Sequence, residues 1–329
     1  MRLNKLGRSL AVVLSTALVA TSGGCSLFTG SGSADRPTPE KQTLRVGIMP
    51  MVDVAPLYMA REEGKFAAAG LNVELIDLRT EDGVLTGLKN QTVDVGFATH
   101  VTWFKAAAAE EQIQLQGEAY QAGGNTMALV TLKDSSYTAL NKNQGGQSPP
   151  IAVDQKTGLA GLATSATLNS AGVGKPNLRE VSFDKMQDEL ATKKVEAAWM
   201  IEPWITKAQK QIGAKVLADT ARGGMLDFPI SGYASMKKFA EENPKTLRIF
   251  REVLNGAQLQ GGNHLKVQEV LTKYAEVDQQ TAALVAVGTY PVSINPVRLQ
   301  RVADMMERLE LLKTRLDVQQ LLPPSDSVS

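Results

Sequence analysis

The chain has 329 residues, 43% of them hydrophobic, 21% charged and 5% aromatic. This composition excludes a disordered or collagen-like protein and leaves room for about two domains at ~100–200 residues each. Its 35 Lys and Arg nearly balance 34 Asp and Glu, and three of the cations (Arg2, Lys5 and Arg8) fall in the first 24 residues, so the remainder offers no basic patch for nucleic acid.

Residues 1–24 have a basic start, the apolar run Leu10 to Ala20 and the small residues Thr21-Ser22-Gly23-Gly24 ahead of Cys25, the pattern of a secretory signal peptide. The run is about half the ~20 residues that a membrane-spanning helix needs. Cys25 is the single cysteine, so no disulfide forms within the chain. Its surroundings resemble the lipobox of bacterial lipoproteins, whose cysteine is acylated, with Ser22 standing where that box usually has Leu. Buried acyl groups at ~0.8 kcal/mol per CH2 would hold the protein at a membrane face. Residues 25–42, rich in Gly, Ser and Pro, predict a flexible tether.

From Leu44 the pattern alternates between strand and helix. Strands are predicted at 44–49, 71–78 and 93–98, and helices at 55–64, 82–90 and 101–109. Two strand-like runs follow at 117–121 and 127–132, then a surface loop over 134–150. The alternation restarts with strands at 151–154, 179–183, 195–201 and 215–217 and helices at 157–171, 184–194 and 203–212. Strands alternating with helices point to an α/β protein with mostly parallel sheets. After a strand at 229–234 the chain turns helical, over 235–242, 244–260, 265–275, 279–288 and 296–312. Pro244 and Pro296 suit first-turn positions, and Leu299, Val302, Met306 and Leu309 form an apolar stripe.

Four pieces in order, LRVGIMPMVDVAPLYMAREEGKFAAAGLNVEL (44–75), TGLKNQTVDVGFAT (86–99), KKVEAAWMIEPW (193–204) and ISGYASMKKFAEENPKTL (230–247), resemble the solute-binding proteins of ABC importers. The group is the one that includes taurine, sulfonate, nitrate and thiamine-precursor binders. The resemblance spans residues 44–312. It implies the two-lobed periplasmic binding protein fold of type II, with the ligand cleft between the lobes and C-terminal helices packed on lobe one. On this chain, lobe one becomes 43–130 with 229–320, lobe two 131–228, and 321–329 a flexible tail. The crossings between lobes fall near Leu129 to Lys133 and near Ala218 to Ile230. It further implies a monomer that hands a small-molecule ligand to a membrane permease, without cofactor or metal.

Ligands of open α/β sheets bind beyond the carboxyl ends of strands, where helix starts offer N–H groups. That rule selects Met51 and Asp53 after the first strand, Asp53 being either a ligand contact or an N-cap for the helix at Ala55. Thr99 and His100 follow the strand ending at Ala98, as ligand partners or as ordinary helix-start residues. Thr157, in the turn Asp154-Gln155-Lys156-Thr157-Gly158, is either a ligand partner or a cap. In WMIEPW, Glu202 is suited to an amino or ammonium group and Trp199 to an apolar or cation–π wall; both tryptophans are equally suited to a core. Asp227 lines the cleft or stiffens the hinge, and Asn125 sits in the Gly123-Gly124-Asn125 turn. With only His100 and His264, a His-rich metal site cannot be built.

No Walker pattern, HExxH, GxSxG or paired cysteine occurs, which argues for a binder and against an enzyme. The pyrimidine-synthase branch of the resembling group depends on a cysteine-rich segment, and its dehydratase branch lacks export signals. A surface adhesin is a third possibility. Helix starts suit taurine, sulfonate or nitrate, whereas acidic walls favour a ligand with an amino group, so taurine or an aminopyrimidine satisfies both better than nitrate.

Overall fold

The structure, a computed structural model, describes residues 38–140 and 147–324. The expected signal peptide and Cys25 lie outside the described residues. In chain order the first elements are β1 (Thr43–Ile48), α1 (Ala55–Glu62), α2 (Lys65–Ala68), β2 (Asn72–Asp77), α3 (Glu81–Lys89), β3 (Val95–Thr99), α4 (His100–Ala108) and β4 (Ile113–Gln121). Next come β5 (Met127–Leu132), β6 (Gln147–Val153), α5 (Leu159–Ser170), β7 (Lys175–Glu180), α6 (Phe183–Ala191), β8 (Ala197–Ile201), α7 (Trp204–Ile212) and β9 (Ala214–Asp219). The chain finishes with β10 (Pro229–Met236), α8 (Lys237–Glu242), α9 (Pro244–Gly261), α10 (His264–Tyr274), α11 (Gln279–Ala282) and α12 (Pro296–Arg308).

Two mixed sheets result, ordered β2-β1-β3-β10-β4 and β7-β6-β8-β5-β9. Each has three parallel strands joined by helical crossovers, then an antiparallel strand, then an edge strand. In each, the antiparallel strand is delivered by the other sheet: β5 enters the second sheet from β4, and β10 returns to the first from β9. The sequence shows no repeat, yet the two lobes share one topology.

Crossovers put apolar faces on both sides of each sheet. Leu44, Val46, Ile48 and Phe97 are buried beneath Leu57 of α1 and Phe250 and Leu254 of α9, and Phe250 meets Tyr233 edge-on at 5.7 Å. Burying each such side chain contributes ~1.5–3 kcal/mol. In the second sheet Ala128, Val130, Ala198 and Met200 pack against Met186 and Leu190 of α6 and Ile205 of α7. The predicted stripe Leu299, Val302 and Met306 is buried, and α12 packs on α4 and β10. Asn295 accepts from the Arg298 N–H at 3.0 Å, so Asn295-Pro296 starts α12 as a cap and first-turn pair.

Several expectations need correction. The first crossing precedes Leu129: Met127 already pairs with Ile201, because the turn ends at Asn125, held at φ 61, and the Thr126 hydroxyl accepts from the Gly123 N–H and donates to the Gly123 carbonyl. β6 begins at Gln147 inside the predicted loop. Its prolines are tolerated because a register irregularity against β7 falls between Gln147 and Pro150. β7 precedes its predicted range, and α5 starts two residues late with Gly158 as N-cap, so Thr157 does not cap it. The tether ends early. Glu40 accepts from Lys245 and Thr246 N–H groups at the start of α9, at 3.2 and 2.8 Å, and Lys41 pairs with Asp94 at 2.8 Å. Helix 279–288 stops at Ala282. Beyond it the chain turns at 283–284 and then leaves the helix to pair Thr289 with Gln121, and Gly288 is required there because a Cβ would lie 2.3 Å from the Gln121 carbonyl. The tail stays packed through Leu321, which is buried in a one-turn helix.

Candidate functional site

The carboxyl ends of β1, β2 and β3 in the first sheet and of β6, β7 and β8 in the second all lead into helix starts. These two edges meet. Lys105 of α4 donates to the Thr157 hydroxyl at 2.9 Å, and Glu81 at the start of α3 acts electrostatically on Asp154 after β6.

The turn after β1 is clamped from the far end of the chain. Tyr274 donates to the Met51 carbonyl at 2.9 Å and Tyr290 to the Val52 carbonyl at 3.0 Å. Tyr274 is itself stacked on Tyr58, with centroids 3.9 Å apart. Asp53 is 5% exposed and accepts from the Ser231 hydroxyl of β10 at 2.5 Å. Burial pushes its carboxyl up to about 6 against that hydrogen bond, with Glu81 adding repulsion. No side-chain cap bond is made to the helix that follows.

After β3, Thr99 caps α4 by accepting from Thr102 N–H at 3.3 Å. Its own N–H donates to Glu81 at 2.7 Å, and the Thr102 hydroxyl donates to the other Glu81 oxygen at 2.5 Å. Glu81 therefore stitches the starts of α3 and α4 together. His100 has no exposed surface. Its ring lies over Gly232, where a Cβ would come within 2.6 Å of Cε1, and neither nitrogen makes a well-formed hydrogen bond. Burial lowers it to about 3, with the Ser231 carbonyl opposing and Arg298 assisting, so it is a neutral core residue at neutral pH.

In the second lobe Trp199 is buried and donates to the Thr220 hydroxyl at 3.0 Å, while Trp204 stacks on Phe183. Glu202 is also buried, and burial pushes its carboxyl up. It accepts from the Thr206 N–H and hydroxyl at 3.2 and 2.9 Å and from the Ala286 N–H at 3.1 Å. Both of its oxygens are thus engaged at the start of α7 and in the strap 283–290. The same side is held by Lys207 donating to the Ala275 carbonyl and Lys210 to the Thr281 hydroxyl, at 3.3 and 2.8 Å, so α10 and α11 reach both lobes. Asp227 and Asn125 are exposed residues of the two crossings, both at positive φ.

The structure thus brings Met51, Asp53, Thr99 and Thr157 to the facing strand ends, places His100 and Trp199 in cores, and puts Glu202 on the pinned side. Sequence reasoning passed over Glu81 and Asp154 as site residues. The signal available was their position: Glu81 is the first residue of the helix after β2, and Asp154 follows β6 directly. Among the described residues, no group of three His, Cys, Asp or Glu is placed to hold a metal ion, and no helix is long and apolar enough to cross a membrane.

The model of the NMT1-like family matches residues 37–260. No curated protein matches the chain in sequence. Among solved structures, the ligand-binding component of an ABC-type import system from Staphylococcus aureus, solved with zinc bound, superposes with a TM-score of 0.75 at 14% identity, covering 87% of this chain and 97% of that one. The periplasmic aliphatic sulphonate binding protein SsuA from Escherichia coli gives 0.70 at 16% identity, over 87% and 93%. The periplasmic nitrate-binding protein NrtA from Synechocystis PCC 6803 gives 0.71 at 15%, over 89% and 92%. These likenesses establish the fold, that of two-lobed periplasmic binding proteins.

Proposed function

Because the chain belongs to the NMT1-like family, we propose that it is an extracytoplasmic solute-binding lipoprotein. It captures a small polar solute between its lobes and delivers it to the permease of an ABC importer. The observation that carries this reading is the meeting of the two strand-end edges, where Lys105 of one lobe donates to Thr157 of the other, on lobes joined by just two chain crossings in the described residues. Such a pair of lobes closes when a solute contacts both better in the closed form. The sulfonate and nitrate binders of the same fold support a solute of the taurine, sulfonate and nitrate class, with a thiamine-type aminopyrimidine as the second reading. The absence of catalytic motifs from the sequence supports a binder over an enzyme.

Melting of the purified protein against taurine, alkanesulfonates, nitrate, aminopyrimidines, thiamine and riboflavin tests this. A solute at ~100 times its dissociation constant stabilises the fold by ~2.7 kcal/mol, and one clear upward shift is expected. A flat panel would overturn the reading. The anchor is tested separately: Cys25→Ser is expected to move the protein from the membrane fraction to the soluble one, and persistence in the membrane would place the anchor elsewhere.

A further inference from the structure

Six carboxylates stand where parallel strands of the two sheets end: Asp53, Asp77, Glu81, Asp154, Glu180 and Glu202. Five are engaged, Asp77 by Arg79 at 3.0 Å. Asp53 accepts from Ser231, Glu81 from Thr99 and Thr102, Glu180 from the Lys156 N–H, and Glu202 from Thr206 and Ala286. Asp154 differs. Its Oδ1 exposes less than 1 Å² and has no hydrogen-bond partner; on the carboxyl as a whole Glu81 from the opposite lobe acts as a like charge, the Gln155 and Asp154 N–H groups favour the charged form, and Glu180 adds a smaller repulsion. A buried acceptor without a donor is costly, and one facing two acids more so. Lys105, a cation that crosses between the lobes here, is occupied by the Thr157 hydroxyl.

We propose that Asp154 and Glu81 together recognise an ammonium or amino group of the solute, one carboxylate from each lobe; this rests on the solute-binding reading above. An N–H donor placed between them satisfies Asp154 Oδ1, uses a lone pair still available on Glu81 and, when charged, replaces a cross-lobe repulsion by two attractions. Closure is then favoured by an amine and opposed without one. Within the sulfonate class the site selects an aminosulfonate over a simple alkanesulfonate, and it rejects nitrate, which has no donor.

Calorimetric titration of the purified protein with two matched pairs, taurine against ethanesulfonate and 4-aminopyrimidine against pyrimidine, tests the assignment. The amino member of one pair is expected to bind at least tenfold more tightly than its counterpart. Asp154→Asn, nearly isosteric, should abolish that preference and Glu81→Gln should reduce it, each with an unchanged far-UV circular dichroism spectrum. The comparison within the unaltered protein needs no variant. Equal binding within a pair, tight binding of nitrate, or a preference that survives in Asp154→Asn would overturn the assignment and leave the solute-binding reading standing. Binding of none of the four probes would overturn the assignment, and only silence of the whole melting panel would take the solute-binding reading with it.

Discussion

Replacing Arg298 by alanine is expected to destabilise the fold by about 3–5 kcal/mol, the usual cost of breaking a buried ion pair from one side. Glu118 of β4 is 2% exposed. It accepts from Arg298 Nη2 at 2.8 Å and Nε at 3.2 Å, and from the Asn295 N–H at 2.8 Å. The pair joins the edge strand of the first sheet to the start of α12. The two partners are unequal, since the Arg298 side chain keeps 25% of its surface in water. Glu118→Ala leaves a guanidinium that reaches solvent and should cost less, nearer 2 kcal/mol on the same scale. Arg298→Ala strands a carboxylate whose burial already pushes its pKa up while Arg298 holds it down. Without the arginine that carboxyl must protonate or stay charged in the core. The loss in Arg298→Ala should therefore be larger at pH 8 than at pH 5, as measured by urea melts. Equal losses for the two variants at both pH values would show that the pair is spread thinly over its neighbours.

The same asymmetry between local and distant partners explains what the sequence disclosed. Period-two and helical patterns report which face of an element is apolar, and they located most strands and helices of both lobes, including the Asn295-Pro296 start. They do not report what lies opposite. His100 and Trp199 stand at strand ends, where ligands bind, yet Gly232 beneath the His100 ring and Thr220 beside the Trp199 indole come from 132 and 21 residues away and turn both into core residues. Glu202 has the right chemistry for an amine, but Ala286, 84 residues later, takes one of its oxygens. The strap 283–290 was unreadable for a related reason: its sequence suits a helix well enough, and distant partners, Glu202 at Ala286 and Gln121 at Gly288 and Thr289, draw it out of one. Glu81 stood just outside the predicted helix 82–90, and its partners Thr99 and Thr102 lie 18 and 21 residues further on.

Asp154 also sets the second large effect, which appears with pH. Burial, then Glu81, raise its carboxyl to about 7 from 3.8. An acid whose folded pKa lies above its unfolded one favours folding while protonated, so that contribution is full below about 4 and is lost as pH rises through about 7. Asp53, raised to about 6 mainly by burial, acts in the same direction over a narrower window. His100 acts against both: lowered to about 3 mainly by burial, it is protonated in the unfolded chain below its ordinary 6.5 but not in the core, so stability is lost as pH falls from about 6.5. The profile of the unaltered protein between pH 4 and 7 is thus a difference of opposing slopes, in which His100 offsets one of the two falling ones. Asp154→Asn removes one slope and leaves the others. Its melting temperature should equal that of the parent near pH 4 and exceed it increasingly up to about pH 7.5, by the equivalent of a few kcal/mol at ~1.4 kcal/mol per unit of pKa shift. A gap that stays constant across this range would mean that the Asp154 carboxyl ionises as readily in the folded protein as in the unfolded chain, and that Glu81 does not press on it.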